Sequence, residues 1–290
     1  MSTTWIVTTT GAISDLVALG KNRGDTITAV VVGDAAVADV DSVIRIPQQA
    51  GQPAEVLAPA VSAAVTAGID DVILTADLPA ERVLAGAVAA KLNAPVLVSV
   101  RQLGTGTAQV ARFGAITLET VEFTGPVVAL YDGGAELTGP AGDEATVDCA
   151  GYSAQVIAED ISDTPRVDIS RAERVVCAGR GFENKEDLQL AQDLADVLGA
   201  EMGVSRPLAE GYGWVRRDNY IGISGQIIAP ELYIAVGISG QIHHTAGVTD
   251  SQTIVAINND ELATMFDFAD YGIVGDLYQV LPELTAALQK

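Results

Sequence analysis

The chain has 290 residues, 49% of them hydrophobic and only 5% aromatic, and it carries a formal net charge of −22. That length suits two domains of ordinary size, and a core drawn from Ala, Val, Ile and Leu is the composition of parallel sheets covered by helices. The acidic balance disfavours nucleic acid and anionic membrane surfaces as partners and favours basic proteins.

In chain order, Trp5 to Thr8 and Thr26 to Val32 read as strands, and Ser42 to Ile46 is short and apolar. Pro53 to Ala67 has helical spacing, with Val56, Leu57, Ala60, Ala64 and Val65 on one face. Asp71 to Thr75 is a strand, Pro79 to Leu92 an alanine-rich helix, and Val96 to Val100 a strand again. This β–α–β alternation predicts a parallel sheet. Val110 to Phe113, Ala115 to Glu122 and Val127 to Tyr131 follow without intervening helices, which predicts an antiparallel excursion, and Val147 to Ile157 reads as one more strand. Glu159 to Arg166 reads as an exposed linker with the domain boundary near Pro165, giving domains 1–165 and 166–290. The first contains no histidine, no GxGxxG and no P-loop.

The second domain repeats the β–α unit. Arg174 to Ala178 is a strand, and Gly179-Arg180-Gly181 a turn. Asn184 is the expected N-cap, with Asp187 three residues on, of a helix burying Leu188, Ala191, Leu194, Ala195 and Leu198. A strand beginning near Ala200 leads to Gly203-Val204-Ser205-Arg206-Pro207, and Ile221-Gly222-Ile223-Ser224-Gly225 is a loop. Leu232 to Val236 is a buried strand, followed by the turn Gly237-Ile238-Ser239-Gly240 and a helix start over Gln241 to Ala246. Thr253 to Ile257 is the next strand, ending on Asn258. A glycine turn between strand and helix leaves N–H groups unpaired beside a positive helix end, which suits phosphate. Tyr271 to Val274 is a short strand, and Asp276 caps a last helix burying Leu277, Val280, Leu281, Leu284 and Leu288. Such junctions gather polar loops at the sheet end where ligands bind in open α/β folds.

Several motifs point away from other chemistries. Gly179 to Asn184 has Asn where a dinucleotide fingerprint has its third Gly, so a bare structural turn competes with a nucleotide loop. The GISG turn is spaced differently from a GxSxG elbow and no Asp–His pattern supports a triad, so no catalytic residue is assigned. His243 and His244 are neighbours, about 100° apart on a helix, unlike the i, i+4 pair of a zinc helix. Cys149 and Cys177 form no CxxC, so no metal, iron–sulfur cluster or disulfide framework is expected. The N-terminal MSTTWIVTTTG lacks a charged leader region, and no apolar run approaches the roughly 18–20 residues of a membrane span, which points to the cytoplasm. Arg206 has an ordinary reading as a surface arginine, and Asn258 and Asp276 as caps.

The segments ELYIAVGISGQIHH, TIVAIN and ADYGIVGD, with VCAGRG, GVSRP and ISGQIIAPELY upstream, resemble the alpha subunit of electron transfer flavoproteins. The likeness is strong from about Val175 to the C-terminus and weaker before it. It implies an α/β chain whose C-terminal Rossmann-like domain holds FAD and whose N-terminal domain docks a beta subunit in a heterodimer. It implies that Arg180 meets the pyrophosphate or the isoalloxazine, that Ser205 contacts FAD, and that Arg206 lies over the ring, where a guanidinium stabilises negative charge on reduced flavin. In the loop of Ile221 and Gly222, Ser224 stands for a threonine that donates to flavin N5, and Ile223 replaces a usual glutamine. Ser239 to His244, through Gly240, Gln241 and Ile242, is the most specific segment. The resemblance places His244 at the flavin pyrimidine edge, with His243 in place of glutamine, and Asn258, Asp276 and Leu277 at the adenosine half.

The function implied is an electron carrier rather than a catalyst on a carbon substrate. It would pass electrons from an acyl-CoA dehydrogenase-type or other partner to a reductase or quinone oxidoreductase, in settings such as anaerobic acyl-CoA or enoate reduction, sometimes with bifurcation through a second flavin. An NAD-dependent oxidoreductase and a non-catalytic nucleotide-binding module are the alternatives, and a flavin absorption spectrum separates the three.

Overall fold

The computed structural model describes residues 2–113, 117–131, 133–147, 151–158 and 169–289. Two compact units divide the chain, Met1–Phe113 with Thr117–Ile161, and Gly114–Ile116 with Ser162–Lys290. Cys149 and the linker read over Glu159 to Arg166, including Pro165, lie outside the described residues.

The first unit contains β1 (Thr3–Thr8), α1 (Ser14–Arg23), β2 (Thr26–Val32), β3 (Ser42–Ile46), α2 (Ala58–Ala64), β4 (Val72–Ala76), α3 (Pro79–Leu92), β5 (Val96–Leu97), β6 (Val100–Leu103), β7 (Thr107–Arg112), β8 (Thr117–Glu122), β9 (Val127–Tyr131) and β10 (Asp143–Thr146). Seven strands form a parallel sheet in the order β10-β3-β2-β1-β4-β9-β5, and β6-β7-β8 form a separate antiparallel sheet. Alternate side chains of each strand enter opposite cores. Ile6, Ala29, Val31 and Leu74 meet Leu16 and Val17 of α1 and Val100 and Val110 of the antiparallel strands. Trp5, Val7, Val30 and Ile73 meet Val61 of α2 and Leu84 and Val88 of α3 on the other face. Each fully buried branched side chain contributes about 1.5–3 kcal/mol.

Four expectations need correction here. Val127 to Tyr131 does not belong to the antiparallel excursion: β9 pairs in parallel with β4 and β5. Its run VVALY is buried on both faces, whereas β8 is mostly exposed, so only the former suits the interior of the large sheet. The strand read over Val96 to Val100 is two strands, because Ser99 at φ 54° turns the chain from one sheet to the other. The described residues of the expected strand Val147 to Ile157, namely 147 and 151–157, form no strand; the strand of this region is β10, just before it, on the sheet edge beside β3, where Arg45 clasps Glu144 through Nε (2.6 Å) and Nη2 (3.1 Å). The helix expected over Pro53 to Ala67 is a 3₁₀ turn, Ala54–Leu57, followed by two turns of α2 ending at Ala64. An unanticipated helix, α1, contains Gly20, where a Cβ would lie 3.1 Å from Thr4 and 3.2 Å from Ile27.

Two polar ties join strands in this unit. Asp71, just before β4, accepts from the Thr3 N–H (2.8 Å) and the Trp5 indole (3.2 Å). Glu81, fully buried in the first turn of α3, accepts from the Thr8 hydroxyl (3.0 Å), the Thr9 N–H (2.8 Å) and the Thr9 hydroxyl (3.3 Å). Burial pushes its carboxyl above the usual range, against the pull of these donors.

The second unit contains β11 (Arg174–Ala178), α4 (Gln189–Leu198), β12 (Glu201–Val204), β13 (Leu232–Val236), α5 (Ile242–Thr245), β14 (Thr253–Asn258), β15 (Tyr271–Val274) and α6 (Leu277–Leu288). Its five strands are all parallel, in the order β12-β11-β13-β14-β15. The chain runs outward from β11 in both directions, so the crevice between β11 and β13 is the topological switch point where such sheets bind ligands. Val176, Ile234 and Val236 pack under α4 and α6, and Val175, Cys177, Tyr233 and Ala235 form the opposite core. Asn184 does not cap α4 with its own oxygen. The Asp187 carboxylate reaches back to accept from the Asn184 N–H and side-chain amide, both at 3.1 Å. Asp276 does cap α6, accepting from the Tyr278 N–H at 2.9 Å, but Leu288 is exposed rather than buried. The unit's tryptophan, Trp214, is half-buried and stacks on Tyr212 at 4.8 Å. No helix of the described residues is long and apolar enough to cross a membrane.

Candidate cofactor site

The loops after β11 and β13 pack backbone on backbone. The Gly181 N–H donates to the Gly237 carbonyl at 3.0 Å, and a Cβ on Gly179 would lie 2.3 Å from that oxygen. Gly237 has φ 61°, and Leu277 supports it and Gly181 from beneath. The glycines that resemble a dinucleotide fingerprint are therefore required by each other. The loop after β13 is held in turn from the end of β14 and from the 3₁₀ turn Thr264–Phe268 beyond it. Thr264 donates its hydroxyl to the Ser239 and Gly240 carbonyls, both at 2.9 Å, and the Asn258 amide donates to the Ile238 carbonyl at 2.9 Å. A Cβ on Gly240 would lie 2.1 Å from the Met265 nitrogen. Among the described residues, the N–H groups of Ser239, Gly240 and Gln241 donate to none of their neighbours, leaving three successive donors for an anion.

These loops frame a cleft of roughly 390 Å³ at the C-terminal ends of β11 to β14. Arg180, Ser205 and Arg206 line one part of it, and Ser239, Gln241, His243, His244 and Asn258 another. Arg180 is exposed and makes no ion pair among the described residues. Arg206 pairs with Glu210 at 2.7 Å, and Glu210 also meets Arg217 at 3.1 Å. His244 is buried, its Nε2 2.7 Å from the Tyr233 hydroxyl. Two buried polar atoms of lining residues, Ser205 Oγ and His244 Nδ1, have no hydrogen-bond partner. Helix α5 is a single turn, so the positive helix end expected for phosphate is small.

A comparison with known proteins decides the family. Residues 168–249 match the electron transfer flavoprotein FAD-binding domain. Protein FixB of Escherichia coli O127:H6 is 38% identical over 236 residues, covering 77% of this chain and 75% of that protein. The chain belongs to the electron transfer flavoprotein alpha subunit family. A putative electron transfer flavoprotein subunit, YdiR of Escherichia coli K12, is 50% identical over 124 residues, which cover 43% of this chain and 40% of that protein. As a member of this family the chain is an electron-carrier subunit with an FAD-binding domain.

The cleft fits an FAD-binding domain in its chemistry. It offers two arginines and a run of free N–H groups to an anionic cofactor, and two orphaned buried polar atoms that a polar ring would satisfy. Ile221, Gly222, Ile223, Ser224, Gly240, Ile242, Asp276 and Leu277, also singled out in the sequence, are not among the residues that line it. Ile221 is wholly buried in the core, and Gly222 packs against the His243 carbonyl, to which Ile223 donates its N–H at 2.8 Å. The exposed Ser224 lies 3.2 Å from the Tyr220 hydroxyl. Ile242 is exposed, and Asp276 and Leu277 begin α6 below the glycine loops. Tyr220, Asp260 and Ala263 line the cleft without having been singled out, and no local motif marks them.

Burial pulls the His244 imidazole down to about 4, while the nearby Ile221 backbone acts the other way. A histidine with a depressed folded-state pKa stabilises the fold above its unfolded value of about 6.5, and that stability is lost as pH falls toward the folded one. The FAD-free chain is therefore expected to lose about 2 kcal/mol through His244 between pH 7 and pH 5. Denaturant unfolding of wild type and His244→Gln at both pH values checks this, and equal losses in the two proteins would refute it.

Proposed function

We propose that the second unit binds FAD in the cleft at the ends of β11 to β14, and that the first unit docks a beta subunit. In this reading Arg180 and the Ser239–Gln241 N–H groups hold the pyrophosphate, and Ser205 and Arg206 lie at the flavin. His243 and His244 line the ring's polar edge, with Ser224 near N5, and Asn258, Asp276 and Leu277 serve the adenosine half. The bound flavin supplies one- and two-electron transfer. The chain's part is to bind it, limit water access and stabilise added negative charge with fixed donors and cations. The observation that carries the reading is the convergence of Arg180, Arg206 and the partnerless Ser205 Oγ and His244 Nδ1 on one switch-point cleft. The wider role follows the family: a cytoplasmic carrier from an acyl-CoA dehydrogenase-type or other flavin partner to a reductase or quinone oxidoreductase, in acyl-CoA or enoate metabolism.

Co-expression with a beta subunit, followed by size exclusion and a visible spectrum, tests cofactor and partner together. A yellow complex is expected, and a colourless chain that elutes alone would overturn the reading. In the yellow complex, Arg206→Ala is expected to lower the flavin reduction potential by about 50 mV, the scale of one partly screened charge. Unchanged potentials at full FAD occupancy would remove Arg206 from the ring.

A further inference from the structure

The face of the second sheet that carries Val175 and Ala235 also carries a buried polar chain. Cys177 on β11 and Tyr233 on β13 are diagonal neighbours, because Val175 is the direct partner of Tyr233 and Cys177 that of Ala235. Both are fully enclosed. The Tyr233 hydroxyl lies 2.7 Å from His244 Nε2, and Cys177 sits beside Tyr233 on the same face of the sheet. His244 is 7% exposed and lines the cleft; its Nδ1 is buried and has no partner in good hydrogen-bond geometry, although the Ile221 backbone lies near enough to favour a protonated ring nitrogen.

One phenolic proton must be assigned between these two neighbours. A thiol is a weak acceptor and a usable donor, whereas an unprotonated imidazole nitrogen is a strong acceptor. The lowest-energy arrangement has the Tyr233 O–H donating to His244 Nε2, the stronger acceptor of the two. A neutral imidazole that accepts at Nε2 carries its proton on Nδ1, because the hydrogen bond at one ring nitrogen fixes the state of the other. Burial supports the neutral forms throughout, with the thiol pushed up to about 12, the phenol held well above its ordinary range and the imidazole pulled down to about 4.

We propose that Tyr233 is a positioning residue: by donating to His244 Nε2 it fixes the Nδ1–H tautomer, and so makes Nδ1–H the donor that the cleft offers to an acceptor atom of the bound cofactor. The inference rests on the flavin reading of the cleft for its acceptor, but the tautomer itself belongs to the protein. The pattern makes the buried strand residue, rather than the histidine alone, responsible for whether the site presents a donor or an acceptor there.

The test uses the full-length chain as purified, with histidine labelled with ¹⁵N. The chain has two histidines, so spectra of wild type and His243→Gln assign both rings. The expected result is a protonated-type nitrogen at Nδ1 of His244 and an unprotonated type at Nε2, in FAD-free and FAD-loaded protein alike. In Tyr233→Phe the ring is expected to shift toward the Nε2–H form, with FAD binding about tenfold weaker. A wild-type His244 protonated at Nε2 would overturn the proposal without any variant having to fold, as would an unchanged tautomer in a folded Tyr233→Phe. A colourless protein that still shows Nδ1–H would instead sink the flavin reading, so the two failures are distinguishable.

Discussion

Gly237→Ala is expected to abolish detectable FAD binding and to destabilise the second unit by about 2–4 kcal/mol. Two costs combine. The residue sits at φ 61°, which costs a residue with a Cβ about 1 kcal/mol. The added carbon would also lie 2.9 Å from Gly181 Cα and 3.1 Å from Gly181 N, and these backbone atoms move only if both cleft loops separate. Overpacking of that kind costs about 1–3 kcal/mol. Gly199, the C-cap of α4, supplies a control, since it has φ 60° with nothing within 4 Å of its missing Cβ. Gly199→Ala should cost only the conformational part and leave FAD binding intact. Denaturant unfolding and FAD titration of both variants decide the matter. If Gly237→Ala is no worse than Gly199→Ala, the loop-on-loop packing is not what shapes the cleft.

The second large effect belongs to the first unit. Glu81→Ala is expected to cost roughly 3 kcal/mol or more, because it strands the Thr9 N–H and hydroxyl and opens a cavity between α3 and β1, while the Thr8 hydroxyl keeps the Thr10 carbonyl as acceptor. Glu81→Gln retains an accepting oxygen and should fall within about 1–2 kcal/mol of wild type. The sign of the pH dependence is specific. Burial raises the carboxyl above its unfolded value, so its contribution is full below a pH of about 4.3 and declines as pH rises through the folded value. The margin of wild type over Glu81→Gln should accordingly narrow from acid to neutral pH. A margin that widens would show that the donors outweigh desolvation.

Much of the fold is legible in the residues. The boundaries of β2, α3, β11, β13 and β15 coincide with apolar runs bounded by turn residues, and Pro79 begins α3 where its missing N–H costs nothing. The failures have local causes. Helix α1 lacks a side-chain cap and contains Gly20, whose reason for being glycine lies in Thr4 and Ile27 across the packing interface. Strand β10 reads DEAT, wholly exposed, and its place comes from Arg45 on a distant strand. β9 follows two antiparallel strands without an intervening helix, so only its unbroken apolar run marks it as a central parallel strand. At the cleft, the segments after β11 and β13 are legible as glycine turns at strand ends, whereas those after β12 and β14 carry no such turn and are marked only by the family resemblance. In the sequence Tyr233 is simply one residue of a buried strand. Its second role depends on His244, eleven residues later, and on Cys177 across the ladder, a relation that exists only once the strands are paired.

The chain has two tryptophans, and the fold assigns one to each unit. Trp5 is buried in the first, its indole bonded to Asp71, and Trp214 is half-buried in the second. The enclosed indole emits at shorter wavelength than the solvated one, so the blue side of the fluorescence band reports on the first unit and the red side on the second. Unfolding followed at two wavelengths then resolves the two halves of the molecule without any added label, and flavin quenching in the red channel reads out occupancy of the half that holds the cofactor.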